Sequence, residues 1–546
     1  MNGKELPMHP NIEEDGCCSH SQNNVDNNQY TYHPRPPKIE GRSMRVLLIC
    51  KEMIAYERIA IILLSACLKA EEHQVRAAVM NSTTPLPGLK TVLGKVGKPG
   101  LMGKEQIREV MREFKPDIVA YTAMTGEHYS LLDFNRELKK EFNFYAVMGG
   151  PHAIFNPMVL DEEGLDAICT GEGDLSFPEF VRRIQNGEEY WLTETFWVKH
   201  DGQIYRNQLR ELVSNLDDLP FPDRQTLYDA DPNMAQVGTK SFHTARGCPY
   251  RCSYCFNKKY NDNYKGLGNI IRCRSPENVV KEIEWVKQRY PLTMVSFVDD
   301  IFFLKPKGWL EEFARLYKER IGLPFNGNVR ANILDERTIA LLKDVGLSHV
   351  WMGVECGNEE AANKVFLRDA SSNNDVIIRA ANLFNKYDVK IIALNIMGLP
   401  VDNPFEIDME TLDLNLKIKP ALMSTGLLYP YPGTAVAQFA IASGHFKADK
   451  PYYYESNKKS SMLTFDSEKE KMMCENLQKL AGIVVEFPFL RHFIRTLCKL
   501  PLTGLYHLLF YAHQSYCQKI RLSPMKNKRK EIPIYAGTLL RVLAKS

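Results

Sequence analysis

The sequence lacks an uninterrupted apolar run of about 18 residues, because lysines and arginines break up even its most hydrophobic region, residues 479–522, so we expect no transmembrane helix. A net charge of only +3 over 546 residues is too small to indicate a nucleic-acid partner. The thirteen cysteines form no regular framework, which disfavours a disulfide-stabilised secreted domain. These absences indicate a cytoplasmic globular protein with several domains.

Residues 1–43 are polar and lack the apolar core of a signal peptide, so we predict a disordered tail. The tail contains Cys17, Cys18 and His20, which are potential metal ligands. Solvated side chains are the more common outcome in such a segment, and we favour that interpretation.

One loop carries the strongest chemical signal. Cys248, Cys252 and Cys255 are spaced C-x3-C-x2-C directly after a strand-like run at 241–244. Three thiolates match three corners of an iron–sulfur cube, which normally takes four cysteines. The missing ligand leaves one metal position open to a small molecule, as in catalytic zinc sites. A zinc ribbon is disfavoured because no second C-x2-C pair follows, and a disulfide is disfavoured in a reducing compartment.

This loop, with the aromatic Tyr254 before its last cysteine, resembles the signature of the radical S-adenosylmethionine (SAM) superfamily. The resemblance implies that the three cysteines hold a [4Fe–4S] cluster, whose fourth iron binds the amino and carboxylate groups of SAM. It implies in addition that one electron cleaves SAM to methionine and a 5′-deoxyadenosyl radical.

Upstream of the loop, residues 44–187 alternate apolar strands with helical patterns. The strands are predicted at 45–50, 74–79, 117–122, 144–148 and 167–169. This alternation indicates an α/β fold with a parallel, doubly wound, Rossmann-like sheet, which binds its ligand at the carboxyl ends of the strands. Glycines follow the last two strands, where they either make turns or let the backbone approach a ligand.

The Gly-Gly-x-His and Gly-Glu-Gly motifs at these strand ends resemble the cobalamin (B12)-binding domain that precedes many radical SAM domains. The resemblance implies a cofactor-binding set of Thr122, Gly149, Gly150, His152, Gly171, Glu172 and Gly173. Residues 50–55 depart from the Asp-x-His-x-x-Gly pattern of other cobalamin domains. Cobalamin is therefore expected to bind without a histidine lower ligand, and a turn or packing role for His152 is an equal alternative.

A hairpin and a proline-rich linker are predicted over 188–234, followed by a second α/β unit over 235–438. Six strand–helix repeats in this unit indicate a partial (β/α)6 barrel, in which catalytic groups lie at the carboxyl ends of the strands. Charged residues follow three consecutive strands: Asp299, Asp300, Arg330 and Glu355.

The order of these charged residues resembles radical SAM barrels, as do the Gly-Leu-Pro and Pro-Tyr-Pro-Gly-Thr segments after the fifth and sixth strands. By that resemblance Tyr254, Arg330 and Glu355 help to bind SAM, the arginine as a fork suited to a carboxylate. Asp299 and Asp300 are candidate catalytic residues that face SAM or the substrate.

Residues 439–546 are predicted to be mostly helical. The apolar region 479–522 has two interpretations: a helical cap on the barrel, or a basic amphipathic surface that touches a membrane or a lipid substrate. The basic run at 526–530 favours attraction to anionic lipid. The aromatic segment 451–454 either lines a substrate entrance or packs internally.

The family resemblance implies a cobalamin-dependent radical SAM methyltransferase that methylates an unactivated carbon of a small-molecule or lipid-like substrate. One SAM supplies the radical, methylcobalamin supplies the methyl group, and a second SAM remethylates cobalamin. The alternatives are a cyclase or rearrangement enzyme with the same cofactors, a radical SAM enzyme without cobalamin, and a sensor without turnover. We expect a monomer that uses an external one-electron reductant of the flavodoxin or ferredoxin type and binds no nucleic acid.

Overall fold

A computed structural model describes residues 42–51, 57–80, 103–368, 373–447 and 456–522, and the backbone of residues 24–26. The described chain folds into two α/β units and a helical C-terminal region, so the predicted fold class is confirmed. Several features discussed above lie outside the described residues: Cys17, Cys18, His20, and the segments 52–55, 451–454 and 526–530.

The first unit is built on eight strands: β1 (Asn24–Asp26), β2 (Arg45–Cys50), β3 (Gln74–Val79), β4 (Ile118–Thr122), β5 (Tyr145–Gly149), β6 (Ala167–Cys169), β7 (Phe196–His200) and β8 (Gln203–Arg206). They form one sheet in the order β1-β8-β7-β6-β5-β4-β2-β3. Strands β2 to β6 are parallel to one another. This doubly wound order places a topological switch point between β2 and β4.

Helices cover both faces of this sheet: α1 (Ile59–Ala70), α2 (Lys104–Phe114), α3 (His128–Glu141), α4 (Pro151–Phe155) and α5 (Ser176–Asn186). Alternate residues of β2 enter two separate cores, with Val46 and Leu48 on one face and Leu47 and Ile49 on the other. Both faces are buried, which explains why this strand reads as a continuous apolar run.

The sheet extends past residue 187, where the first domain was predicted to end, because the hairpin β7–β8 pairs antiparallel with β6. Residues Asn24–Asp26, inside the predicted disordered tail, instead pair with β8 as an edge strand. A three-residue polar strand carries no alternating apolar pattern, and its pairing depends on backbone hydrogen bonds to a distant partner. The sequence pattern therefore could not reveal it.

Two short helices, α6 (Arg224–Ala230) and α7 (Pro232–Gln236), join the units. The guanidinium of Arg224 is fully buried and donates to Glu57 Oε2 (2.7 Å), to the Ser241 carbonyl (2.7 Å) and to Glu282 Oε1 (2.8 Å). Glu57 belongs to the first unit, whereas Ser241 and Glu282 belong to the second. One buried cation, held by two carboxylates and a carbonyl, therefore ties the two units together.

The second unit is a curved sheet of six parallel strands: β9 (Thr239–Phe242), β12 (Met294–Phe297), β13 (Phe325–Val329), β14 (Leu347–Glu355), β15 (Lys390–Met397) and β16 (Leu422–Leu427). They follow one another in chain order across the sheet, as the predicted partial barrel requires. A two-stranded ladder of β10 (Ala245–Arg246) and β11 (Arg272–Cys273) lies beside it.

The helices of this unit are α8 (Phe256–Asn263), α9 (Pro276–Arg289), α10 (Trp309–Arg320), α11 (Glu336–Asp344), α12 (Glu359–Phe366), α13 (Asn374–Lys386), α14 (Pro404–Ile418) and α15 (Ala435–Ala442). Helix α9 begins as predicted, with Pro276 at its first position and the Ser275 side chain accepting from the Asn278 amide. Short 3-10 turns lie at Pro157–Asp161, Tyr190–Leu192, Leu216–Asp218, Ala331–Ile333 and Pro488–His492.

The C-terminal region contains α16 (Ser456–Lys459), α17 (Glu468–Glu486), α18 (Ile494–Cys498), α19 (Thr503–Tyr516) and a π-helical turn, Cys517–Leu522. Helix α17 covers the edge strand β16: the Thr425 hydroxyl donates to the Gln478 carbonyl (2.7 Å), and the Gln478 amide donates back to the Thr425 carbonyl (3.2 Å). The last strand of the barrel is thereby protected from edge pairing. None of the described helices combines the length and hydropathy that a bilayer crossing requires.

Candidate active site

The cysteine loop connects β10 to α8. Cys248 is buried, and Cys252 and Cys255 are half-buried. The Cys255 amide donates to the Cys252 carbonyl (3.1 Å), which closes the turn between them. Ser253 anchors the loop, since its amide donates to the Phe366 carbonyl (3.0 Å) and its own carbonyl accepts from the Val436 amide (3.1 Å). The loop is thus held by α12 and α15 at the mouth of the barrel.

The donor set of this loop fits a cluster better than a single metal ion. In the described chain the three sulfur atoms do not come within 4.8 Å of one another as a group. A tetrahedral zinc ion with Zn–S bonds of about 2.3 Å would hold its sulfurs about 3.8 Å apart. Burial raises the pKa of Cys248 to about 12 and of Cys255 to about 11, so metal binding must release their protons.

Asp299 supports the strand that leads into this loop. Its carboxylate accepts from the Thr244 amide (2.7 Å), the Thr244 hydroxyl, the Ala245 amide (3.3 Å) and the Lys305 ammonium (3.0 Å). Burial acts to raise the pKa of Asp299, but Lys305 and the Thr244 hydrogen bonds outweigh it, so the pKa lies below its ordinary value. Four protein donors saturate this carboxylate, which makes it a positioning residue and disfavours the proposed catalytic role.

Asp300 has a different environment from its neighbour. Its side chain is exposed and accepts from Asn257 Nδ2 (2.9 Å) just after the third cysteine. It lines a cavity of about 210 Å³ that is shared by both units and includes Glu172, Arg246 and Asp299. This volume is below the roughly 300 Å³ at which ligand pockets usually begin. Asp300 remains accessible for a role in proton transfer or substrate contact.

Arg330 and Glu355 both contact residues of the cysteine loop. Arg330 Nη1 is 3.4 Å from Cys252 Sγ, and its guanidinium lies 3.8 Å from the centre of the Tyr250 ring. Glu355 ends β14 in a left-handed conformation, with a φ of +66° that costs about 1–3 kcal/mol. Burial raises the pKa of Glu355, although a hydrogen bond from Tyr254 opposes this.

A cation and a carboxylate beside three thiols suit a zwitterionic ligand such as SAM. Arg330 is suited to the carboxylate of SAM, and Glu355 is suited to its amino or ribose groups. Tyr254 orients Glu355, and its ring packs edge-on against Phe366 at 4.9 Å. The Gly-Leu-Pro segment is held by Asp408, which accepts twice from the Gly398 amide (3.1 and 3.0 Å).

The carboxyl edge of the first sheet contacts this loop directly. Phe155, at the end of α4, stacks on Phe256 with ring centroids 4.3 Å apart. Arg246, two residues before the first cysteine, donates to both oxygens of Asp174 (2.6 and 3.1 Å) and pairs with Glu172 (3.1 Å). The ligand-binding edge of one unit therefore meets the cysteine loop of the other.

Gly171 and Glu172, which the resemblance implied as cobalamin contacts, take part in this junction. Glu172 accepts from Arg272 (2.7 Å) and from the Tyr260 hydroxyl (2.7 Å). A Cβ at Gly171 would lie 2.1 Å from the Tyr264 hydroxyl, which accepts from the Glu172 amide at 2.8 Å. The glycine therefore allows close approach of a side chain from the second unit rather than leaving room for a ligand.

Replacing Glu172 with glutamine is expected to lower the free energy of unfolding by about 1.5–3 kcal/mol, because it weakens charge-assisted hydrogen bonds to two arginines. It should also lower the iron content after reconstitution, since Arg246 leads into the cysteine loop.

Glu179→Gln is the matched control, because Glu179 pairs with two arginines within the first unit and has a similar exposed fraction, 15% against 17%. It should cost similar stability but retain iron. Equal iron loss in both variants would contradict the proposed junction role.

Thr122, Gly149 and Gly150 lie at the switch point of the first sheet. Thr122 is in register with Cys50 of β2 and with Gly149 of β5. Gly150 has a φ of +89°, and a Cβ there would lie 2.9 Å from the Thr122 hydroxyl and from the Ala123 carbonyl. Gly173 lies farther along the same edge, after β6. These residues are placed where a doubly wound sheet binds its ligand.

His152 is a packed residue in this structure. Its ring is buried and stacks on His128 with centroids 3.6 Å apart. Its Nδ1 lies 3.2 Å from the Thr125 hydroxyl, and its Nε2 lies 3.5 Å from Asn156. Burial lowers the pKa of His152 to about 3 and of His128 to about 4, so both rings are neutral. Neither histidine ring is therefore placed to ligate the cobalt, and this edge fits a cobalamin without a histidine lower ligand.

The sequence pattern did not identify five charged or aromatic residues of the site: Asp174, Arg246, Tyr260, Arg272 and Lys305. Arg246 alone had a local signal, because it lies next to the Gly-Cys start of the loop. Asp174, Tyr260 and Arg272 act through partners 72 to 100 residues away. Lys305 acts through Asp299, six residues before it in the chain.

Known proteins match both units. The chain matches the B12 binding domain over residues 52–181 and the Radical SAM superfamily over residues 242–412. It is 27% identical over 344 residues to an uncharacterized methyltransferase of Pyrococcus horikoshii, a match that covers 62% of this chain and 72% of that protein.

The chain is also 27% identical over 345 residues to the anaerobic magnesium-protoporphyrin IX monomethyl ester cyclase of Rubrivivax gelatinosus. That match covers 61% of this chain and 60% of the cyclase, which is less than two thirds of its length. The fold resembles the cobalamin-dependent S-adenosylmethionine radical enzyme OxsB with aqua-cobalamin bound, with a TM-score of 0.63 at 14% identity over 92% of this chain and 76% of that one.

The fold and the cysteine loop define a radical SAM enzyme. With a B12-binding domain in front of the radical SAM domain, the chain belongs to the cobalamin-dependent radical SAM proteins. Its cofactors are SAM, a [4Fe–4S] cluster and cobalamin, and enzymes of this superfamily draw their electron from an external reductant.

Proposed function

We propose that this enzyme transfers a methyl group to an unactivated carbon of a small-molecule or lipid-like substrate. The observation that carries the proposal is the junction at which Phe155 of the B12-binding domain stacks on Phe256 beside the cysteine loop. Methyl transfer to an unactivated carbon needs a radical source and a methyl source next to one substrate. The similarity to the uncharacterized methyltransferase of Pyrococcus horikoshii supports this choice.

In the proposed site Cys248, Cys252 and Cys255 hold the cluster, and Arg330 and Glu355 hold SAM. Bound there, the cofactors supply an electron, a hydrogen-abstracting radical and a methyl group. Tyr254 orients Glu355, Asp299 fixes the entry of the loop, and the ion pairs around Glu172 keep the B12-binding domain against the barrel. This arrangement holds the B12-binding domain beside the cysteine loop, where the two cofactors would act on one substrate.

The test is an anaerobic assay of reconstituted protein with SAM and a low-potential reductant. 5′-Deoxyadenosine measures reductive cleavage of SAM, and S-adenosylhomocysteine measures loss of its methyl group. We expect both products. Neither product, from protein with verified iron and cobalamin, would contradict an enzymatic role and favour a sensor.

The second candidate is a cyclase or rearrangement enzyme with the same cofactors, which the similarity to the Rubrivivax gelatinosus cyclase favours. Such an enzyme would form 5′-deoxyadenosine without S-adenosylhomocysteine. The ratio of the two products therefore separates the candidates.

A further inference from the structure

Residues 487–520, here called the apolar shelf, expose an unusual number of large hydrophobic side chains. Ten of the sixteen that are exposed in the described chain lie in this short segment: Phe487, Phe489, Phe493, Leu500, Leu502, Leu505, Leu508, Leu509, Tyr516 and Ile520. The exposed fraction reaches 62% at Phe489 and 58% at Phe493. Scattered surface leucines need no explanation, whereas a concentration of this kind marks an interaction surface.

Helix α19 shows that the exposure has a direction. One side of this helix carries four exposed residues: Leu505 and, three, four and eleven residues after it, Leu508, Leu509 and Tyr516. The opposite side is also apolar, and its Tyr506 and Phe510 are buried. Both α18 and α19 pack against α17. One apolar side of the helix is thus packed against the protein, and a second apolar side is exposed to solvent.

The charged residues within the shelf segment itself are all of one sign. From Phe487 to Lys530 the sequence contains nine lysines and arginines and no aspartate or glutamate, although the whole chain carries only +3. Three of these arginines, Arg491, Arg495 and Arg521, pair with Asp413, Glu406 and Glu486 of neighbouring helices. The remaining excess comes from lysines such as Lys499 and from the basic run at 526–530.

We propose that the apolar shelf docks on the surface of an anionic lipid bilayer, with its phenylalanines and leucines in the interfacial layer and its lysines toward the headgroups. Apolar side chains next to unbalanced cations are the combination that such a surface attracts. A second copy of the chain fits less well, because a symmetric contact would bring two cationic shelves together. The proposal is independent of the proposed reaction.

Flotation of the full-length reconstituted protein with vesicles tests this. Vesicles of phosphatidylcholine mixed with phosphatidylglycerol should bind the protein, pure phosphatidylcholine should bind it less, and added salt should weaken the binding. The variant Leu505→Glu, Leu508→Glu, Leu509→Glu should bind at least roughly tenfold less. The control variant Met158→Glu, Ile441→Glu changes exposed apolar residues elsewhere, 52% and 41% exposed, and should bind as the wild type does.

Several outcomes would overturn the proposal. Wild-type protein that stays unbound to vesicles containing phosphatidylglycerol would contradict docking on an anionic bilayer. A second outcome is that the protein does not bind vesicles but forms oligomers as its concentration rises. If the triple variant does not form these oligomers, the shelf is a self-association surface. Undiminished binding of the triple variant would place the docking surface elsewhere. If the triple variant fails to fold, judged by its melting temperature, the single change Leu508→Glu and the salt titration carry the test.

Discussion

Replacing Asp299 with asparagine is expected to lower the free energy of unfolding by about 3–5 kcal/mol, because it leaves the fully buried Lys305 ammonium without its counter-charge. The amide nitrogen of the new side chain would also face donors. Since Asp299 anchors Thr244 and Ala245 just before the cysteine loop, formation of 5′-deoxyadenosine should fall by about 100-fold through misplacement of the cluster. Chemical denaturation and product quantification measure the two effects.

Asp300→Asn is the matched control for this experiment. Its side chain is exposed, so stability should change by no more than about 0.5 kcal/mol. A loss of turnover without a loss of stability would identify Asp300 as the catalytic member of the pair. An Asp299→Asn protein with unchanged stability would contradict the positioning role.

The pH dependence of stability provides a second readout for Asp299. Its folded-state pKa is lower than its ordinary value, so its stabilising contribution is complete above about pH 4 and is lost as the pH falls through the folded value. The Asp299→Asn protein should therefore lose less stability than the wild type as the pH falls below about 4.

Cys252→Ala should reduce both bound iron and 5′-deoxyadenosine formation by at least about 100-fold. Changes to groups that merely support a metal ligand cost about 10–100-fold, and a direct ligand should cost more. The fold should be retained, because Cys252 is half-buried and contributes little to a core. Iron analysis, the visible absorption of the cluster and product quantification measure the result.

Cys273→Ala is the control, because Cys273 is also half-buried and lies on β11, opposite Ala245 and outside the loop. It should retain iron and activity. Equal losses in both variants would mean that the iron is bound adventitiously rather than by the three-cysteine loop.

Apart from β1, most strands of the two large sheets were predictable because they are short, largely apolar runs between polar segments. Arg45–Cys50 and Ala167–Cys169 have the predicted bounds, since both faces of these parallel strands are buried and the sequence shows this as a continuous apolar run. Gln74–Val79, an edge strand with Gln74 and Arg76 exposed, also has the predicted bounds. The cysteine loop was equally readable, because its three ligands are local in sequence.

The contacts between the units were not predictable. Glu172 meets Arg272 across 100 residues, and Arg224 meets Glu57 across 167. A carboxylate after a glycine has the same local pattern whether it faces a cofactor or an arginine of another domain. Likewise, the local sequence does not distinguish the adjacent Asp299 and Asp300. Asp299 is buried because Thr244 and Lys305 surround its carboxylate, whereas Asp300 is exposed.

The most direct test of this account is the composition and activity of a single anaerobically reconstituted sample, in which iron, cobalamin and 5′-deoxyadenosine are measured together. A shared site at the junction predicts about four iron atoms and about one cobalamin per chain, with cleavage of SAM that depends on the reductant. An intact cluster in a chain that takes up no cobalamin would contradict the shared site at the junction of the two units.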